Sequence, residues 1–209
     1  MPLFYQHNIN HNTKLAIWHI AEPEDFFLRK VPLQNTITHW HKRLQHLAGR
    51  YLLQELHPDF PYHLIEIADT RKPFLQNEKY HFSISHCADY AAVIVSEEKR
   101  VGIDIELITP KIELIKHKFL SEEEIGLVSG QWSMVNREIQ LLTLLWSCKE
   151  AVFKWYGNGG VDFKKNIIIK KISMNDDDGI VDCLFTKEDE TQLQIQYHFF
   201  DNISLAWII

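Results

Sequence analysis

The sequence predicts an α+β fold made of two similar halves, residues 1–100 and 101–209. Two stretches, 36–56 and 137–156, carry apolar residues at helical spacing. Two others, 80–96 and 193–209, alternate and read as hairpins closed by short polar turns. Each half therefore holds a long helix and a meander. That pattern reads as a pseudo-repeat, although the halves share little identity.

A chain of 209 residues suffices for one large domain or two small ones with proper cores. Hydrophobic residues make up 45% and charged residues 24%, an ordinary globular composition. Twelve Phe and six Trp point to a core rich in aromatics. The net charge of −6 argues against non-specific nucleic-acid binding, while local basic clusters can still serve a phosphorylated ligand. Cys87, Cys148 and Cys183 form no CxxC and leave an odd count, which fits a reducing compartment without a disulfide framework. Residues 1–12 are polar, so no signal peptide is expected. No apolar run approaches the ~18 residues of a membrane helix. The expected location is cytoplasmic.

In the first half, Lys14 to Ile20 reads as a strand and Pro23 to Phe27 as the acidic first turn of a helix. His7, His11 and His19 are scattered without the spacing of a zinc site. Along 36–56, Trp40, Leu44, Leu47, Leu52 and Leu56 form the apolar stripe. Lys42, Arg43 and Arg50 lie among them, as a solvated basic face or as phosphate contacts. His57 to Pro61 is a break, and Ile65 to Ile67 a short strand. Lys72, just before the rigid Pro73, is placed to meet an anion or to sit in a surface turn. Tyr80 to His86 alternates, Cys87-Ala88-Asp89 turns, and Tyr90 to Val95 returns as a buried strand. Ser85 and His86 stand at the strand end. Glu97 to Arg100 turns into the next strand, so Phe82 to Glu106 reads as a three-stranded meander.

That third strand carries the first chemical signal. In Val101 to Ile108, the apolar Val101, Ile103, Ile105 and Leu107 share one face, and Gly102, Asp104 and Glu106 the other. Asp104 and Glu106 stand about 7 Å apart along the strand. Two neighbouring carboxylates repel and lose hydration, and a hard cation such as Mg²⁺ would relieve both costs. The plainer reading is an edge strand with a wet face.

Thr109-Pro110 ends that strand, and Ile112 to Lys118 reads as helical, with Lys111, Lys116, His117 and Lys118 around it. Ser121 and Glu124 form a capping box for a helix running from Glu122 toward Val128, with a break at Ser129-Gly130. In 137–156, Leu141, Leu145, Cys148, Val152 and Trp155 make one apolar stripe. Trp146, Lys149, Glu150 and Phe153 fall within about 100° of one another on a second, and Lys154 lies one turn beyond Glu150. Charges bracketed by aromatic bulk need partners, which favours a functional site over a solvated face. Gly157-Asn158-Gly159-Gly160 stops the helix; no GK[ST] follows, so it is not a P-loop. The remainder reads as strands at 165–173, 180–185, 193–200 and 203–209, with an acidic turn at Asn175 to Gly179.

Four pieces then stand in order: Lys72-Pro73; Phe82-Ser83-Ile84-Ser85-His86; Gly102-Ile103-Asp104-Ile105-Glu106; and Trp146-Ser147-Cys148-Lys149-Glu150-Ala151-Val152-Phe153-Lys154. In that order they resemble the 4′-phosphopantetheinyl transferases of the monomeric, surfactin-synthetase-activating type, in the subgroup marked by Trp-x-x-Lys-Glu-Ala. Lys42-Arg43 with Gly49-Arg50, and Phe119-Leu120-Ser121 with Glu124, also resemble family positions. The resemblance runs from about residue 40 to 165. Cys87 departs from the Ser or Thr common there.

The resemblance implies a pseudo-twofold α+β fold with coenzyme A in the cleft between the halves. It implies transfer of phosphopantetheine from coenzyme A to a serine of an apo acyl or peptidyl carrier protein, with release of 3′,5′-ADP. It implies a monomer that needs neither nucleic acid nor membrane. Asp104, Glu106 and Glu150 are then expected to hold Mg²⁺, with Mn²⁺ as the alternative metal. Asp104, Glu150 and Lys154 are the expected catalytic residues. Glu150, or a metal-bound water beside it, is expected to take the serine proton. Lys149 and Lys154 are expected to neutralise phosphate oxygens, and Ser85 and His86 to contact the diphosphate or 3′-phosphate. Lys42 and Arg43 would serve the 3′-phosphoadenosine end, with Lys72 nearby. Lys111, Lys116 and Lys118 would face the acidic helix of the carrier. The rival readings are another Mg²⁺-dependent enzyme that cleaves a nucleotide pyrophosphate, and a non-catalytic coenzyme A-binding relative.

Overall fold

A computed structural model describes residues 3–33, 37–128 and 135–209. It is an α+β structure that divides into two compact units, Met1–Ile103 and Asp104–Ile209.

The first unit is a four-stranded sheet carrying a helix. Its strands are β1 (Leu3–Asn8), β2 (Thr13–His19), β5 (His81–Cys87) and β6 (Tyr90–Ser96), in the order β1-β2-β6-β5 with antiparallel pairing. A two-stranded ribbon pairs β3 (Ile65–Ile67) with β4 (Pro73–Leu75). The short helix α1 (Glu24–Leu28) and the long α2 (Trp40–Leu56) complete the unit. Phe27, Leu47, Leu52, Phe82, Val93 and Val95 share one core cluster. Burying such side chains contributes about 1.5–3 kcal/mol each. Gly49 lets α2 come close to β5: a Cβ there would stand 2.8 Å from Ile84 Cγ2.

Two expectations change here. The helix starts at Trp40 rather than residue 36; residue 36 lies outside the described residues, and 37–39 are not helical. Trp40, assigned to the apolar stripe, is 65% exposed; the α2 side chains that join the core begin with Leu44 and Leu47. Strand β1 escaped the sequence reading because it is an edge strand with almost no buried residue, and an edge strand has no alternation to show.

The second unit is a five-stranded sheet, β7 (Gly102–Leu107), β8 (Ile167–Asn175), β9 (Asp178–Phe185), β10 (Thr191–Phe200) and β11 (Ile203–Ile208), in the order β7-β11-β10-β9-β8. Strand β7 is therefore no third strand of the β5-β6 meander; it pairs with the last strand of the chain. Adjacency in sequence suggested the meander, but hydrogen bonding chose β11. The helices are α3 (Lys116–Phe119), α4 (Glu122–Val128), α5 (Val135–Tyr156) and α6 (Phe163–Asn166). Helix α5 packs on β11, β10 and β8, with Leu141, Leu145, Cys148 and Val152 fully buried. The helix expected over 112–118 is split: a 3-10 turn over Pro110–Leu114 ends at Ile115 before α3 begins. The strand expected from Lys165 starts at Ile167, because the Asp162 carboxylate accepts from the Lys164 and Lys165 backbone N–H groups and caps α6. The break expected at Ser129-Gly130 lies outside the described residues.

Candidate active site

Strand β7 and helix α5 are tied by two side-chain bonds. Lys154 Nζ donates to Asp104 Oδ1 at 2.7 Å, and Trp146 Nε1 donates to Glu106 Oε1 at 3.1 Å. Residues four apart share a helix face. Glu150, midway between Trp146 and Lys154, therefore lies on the face of α5 turned to the β7 carboxylates. The structure thus brings together Asp104, Glu106, Glu150 and Lys154.

The charges do not balance. Asp104 is only 3% exposed, and Glu106 and Glu150 are half-buried. Burial and the neighbouring Asp104 carboxylate push both Glu106 and Glu150 up to about 7. The indole of Trp146 and the ammonium of Lys154 offset part of this for Glu106, and Lys154 does so for Glu150. Three carboxylates face one ammonium, and that surplus of hard oxygen donors suits a divalent cation such as Mg²⁺ in charge and in donor type. Among the described residues, no three His, Cys, Asp or Glu side chains already form a metal cage. The arrangement present is that of the Lys154–Asp104 ion pair.

Lys149 requires a correction. It is adjacent to Glu150 in sequence and was expected to meet phosphate, but its side chain is fully buried. Nζ lies 2.7 Å from Glu124 Oε1 and 2.8 Å from Oε2, and donates to the Phe163 carbonyl at 2.9 Å. Burial lowers its pKa and pairing with Glu124 opposes that. The 100° step between neighbours on α5 turns Lys149 away from β7, toward α4 and α6. Glu124 is itself saturated: it accepts from the Ser121 N–H at 2.8 Å and from the Ile169 N–H at 2.8 Å, while Ser121 Oγ accepts from the Glu124 N–H. The expected capping box exists, and its glutamate is also the counter-ion of Lys149.

The remaining expected residues lie in the first unit. Lys42 is exposed on α2. Arg43 is paired with Glu24, so its guanidinium is held by α1 rather than presented alone. Ser85 is buried and His86 exposed on β5. Lys72, lowered to about 8 by burial and by Arg100, lines a small pocket of about 120 Å³ with Pro73, Tyr80, Phe82 and Arg100.

The sequence left Arg50, with Lys42 and Arg43, between a solvated basic face and a phosphate contact. It is only 5% exposed, and its Nη1 meets His46 Nδ1 at 3.2 Å. Burial lowers the guanidinium to about 10, and burial, Arg50 and His86 lower His46 to about 4. Three basic groups thus gather in one place, and among the described residues Arg50 makes no ion pair with a carboxylate. The signal in the sequence was an arginine on the apolar side of α2, next to the glycine of closest packing.

In the second unit, Lys118, Phe119, Trp146, Val161 and Phe163 line an open groove of about 730 Å³. Trp146 packs edge-on to Phe119 at 5.0 Å and against Phe163 at 5.7 Å, so the tryptophan that bonds Glu106 also forms a wall of the groove. Among the described residues no helix is long and apolar enough to cross a membrane.

The profile of the ACPS family, described as the 4'-phosphopantetheinyl transferase superfamily, matches residues 100–207. Similar proteins include the 4'-phosphopantetheinyl transferase psf-1 of Bacillus pumilus, 34% identical over 97 residues, covering 46% of this chain and 40% of that protein. A putative 4'-phosphopantetheinyl transferase of Haemophilus influenzae is 34% identical over 103 residues, 46% of this chain and 41% of the relative. The 4'-phosphopantetheinyl transferase AcpT of Escherichia coli O157:H7 is 30% identical over 122 residues, 56% of this chain and 59% of AcpT. The matched stretch thus spans 40% to 59% of the length of these relatives.

Proposed function

The chain belongs to the 4′-phosphopantetheinyl transferase superfamily, and from that premise we propose that it moves 4′-phosphopantetheine from coenzyme A to a serine of an apo acyl or peptidyl carrier protein. The observation that carries the proposal is the crossing of β7 and α5, where Asp104, Glu106, Glu150 and Lys154 meet inside the matched stretch. The reaction is in-line displacement at phosphorus. The serine oxygen forms a bond to the phosphorus bearing pantetheine, the bond to the bridging pyrophosphate oxygen breaks, and 3′,5′-ADP leaves with that oxygen. Charge spreads over the non-bridging oxygens, so the site must supply positive charge and an oriented hydroxyl.

Asp104, Glu106 and Glu150 would hold Mg²⁺, or Mn²⁺, which when bound supplies electrostatic stabilisation of the pyrophosphate charge. Glu150 takes the serine proton, directly or through a water. Lys154 presents its ammonium to a phosphate oxygen. Trp146 fixes Glu106 by its N–H. Lys149 is no longer among the phosphate contacts; with Glu124 it anchors the start of α6 and β8.

In the first unit, Arg50 and His86 are the groups best suited to a phosphate, since the buried Arg50 guanidinium pairs with no carboxylate among the described residues and lies in a cluster of basic groups with His46 and His86. Ser85, Lys72 and Lys42 remain assigned to coenzyme A. Lys111, Lys116 and Lys118, around the 74% exposed Leu114, form the surface assigned to the carrier, a basic rim about an apolar residue. The protein acts as a monomer in the cytoplasm. Intact-mass analysis tests the reading: apo carrier incubated with the protein, coenzyme A and MgCl₂ gains one phosphopantetheine, and EDTA or Asp104→Ala abolishes the gain. A mass gain that persists with Asp104→Ala sinks the assignment of the site.

A further inference from the structure

We propose that Lys154 is the resident counter-ion of the carboxylate cluster in the metal-free protein, and that its ammonium must leave Asp104 before Asp104, Glu106 and Glu150 can hold a divalent cation. The inference rests on the metal reading above and adds an exchange to it.

The geometry sets up a direct competition. Nζ of Lys154 lies 2.7 Å from Asp104 Oδ1, with the carboxylate side chain 4% exposed and the lysine side chain 23% exposed. The buried partner is fixed on a strand, while the ammonium sits on a flexible four-carbon stem that reaches solvent. The ammonium is therefore the member of the pair that can move. The neutral indole of Trp146 donates to Glu106, which orients that carboxylate but supplies no charge. One monovalent cation neutralises one of three carboxylates, so the cluster keeps an attraction for a second cation, but that cation approaches the Asp104 carboxylate against the repulsion of the ammonium 2.7 Å from its Oδ1. This accounts for a second observation: three acidic side chains gather here, yet among the described residues no three of them form a ready cage.

A residue that only assisted metal binding would weaken it when removed. A resident counter-ion does the reverse: without Lys154 the cluster is more negative and no ammonium repels the metal at Asp104. Isothermal titration of MgCl₂ and MnCl₂ into EDTA-treated, desalted full-length protein compares the wild type with Lys154→Met and Lys154→Gln. Both variants should bind about tenfold more tightly than the wild type. Equal affinity, weaker affinity or no binding in the variants overturns the proposal. Because Lys154→Met can destabilise the metal-free chain, a second measurement uses the wild type alone: the carbon-13 chemical shift of the Lys154 Cε should move as MgCl₂ is added, and an unmoved resonance overturns the exchange. Neither readout involves coenzyme A or carrier. Failure of the transferase reading appears as an unmodified carrier, whereas failure of this inference appears in the metal isotherms.

Discussion

Replacing Lys149 by Met removes an ammonium that is fully buried and bonded to both Glu124 oxygens and to the Phe163 carbonyl. The methionine fills similar volume, so little cavity term is expected. What remains is a carboxylate, 1% exposed, held by the Ser121 and Ile169 N–H groups without its cation. Breaking a buried pair from one side costs about 3–5 kcal/mol. Against a domain stability of about 5–15 kcal/mol this is a large fraction. The urea midpoint should fall sharply and the melting temperature by roughly 10 °C or more. Adding Glu124→Gln to Lys149→Met removes the stranded charge, while the amide oxygen still accepts from Ile169. The double variant should recover about half of the loss, a coupling measurable as a double-mutant cycle. The same unfolding data must be set beside coenzyme A affinity. If Lys149→Met unfolds at the wild-type midpoint while its coenzyme A affinity collapses, the lysine faces ligand and the reasoning is refuted.

Two other outcomes follow from the same structure. Glu106 and Glu150 titrate near 7 when folded against 4.5 unfolded, so the folded state holds their protons longer. Metal-free protein then loses stability as pH rises from about 4.5 to about 7, and a raised carboxylate contributes no penalty below that window. The interval is worth about 3 kcal/mol for one fully buried carboxylate; partial exposure and the shared Asp104 neighbour reduce it to about 2 kcal/mol for the pair. Millimolar MgCl₂ should accordingly raise the melting temperature more at about pH 8 than at about pH 5; an equal rise at both values contradicts the assignment. In the first unit, Arg50→Gln should weaken binding of 3′,5′-ADP at least tenfold, and His86→Ala should weaken it less, since His86 is exposed. Unchanged affinity in a calorimetric titration of Arg50→Gln would assign that guanidinium to structure alone.

The sequence by itself determined the element inventory wherever period and punctuation agreed. The hairpin at 80–96 and the last pair of strands were legible because alternation and a short turn are local properties, as was the Ser121–Glu124 capping box. The acidic pair on β7 was legible for the same reason: side chains two apart must share a face. Helical spacing also placed Glu150 and Lys154 toward one side of α5. Only the tertiary structure decided where those faces point. Hydrogen bonding put β7 beside β11, from the far end of the chain, and no local pattern records that choice. Lys149 and Glu150 are adjacent, yet one lies in the core against Glu124 and the other beside Asp104. A single 100° step on the helix separates them, and whether that step crosses from site to core depends on what packs against each side. Arg50 makes the same point on α2: the sequence reads it as part of a solvated face or as a phosphate contact, and only its burial beside His46 reveals a cation held out of water.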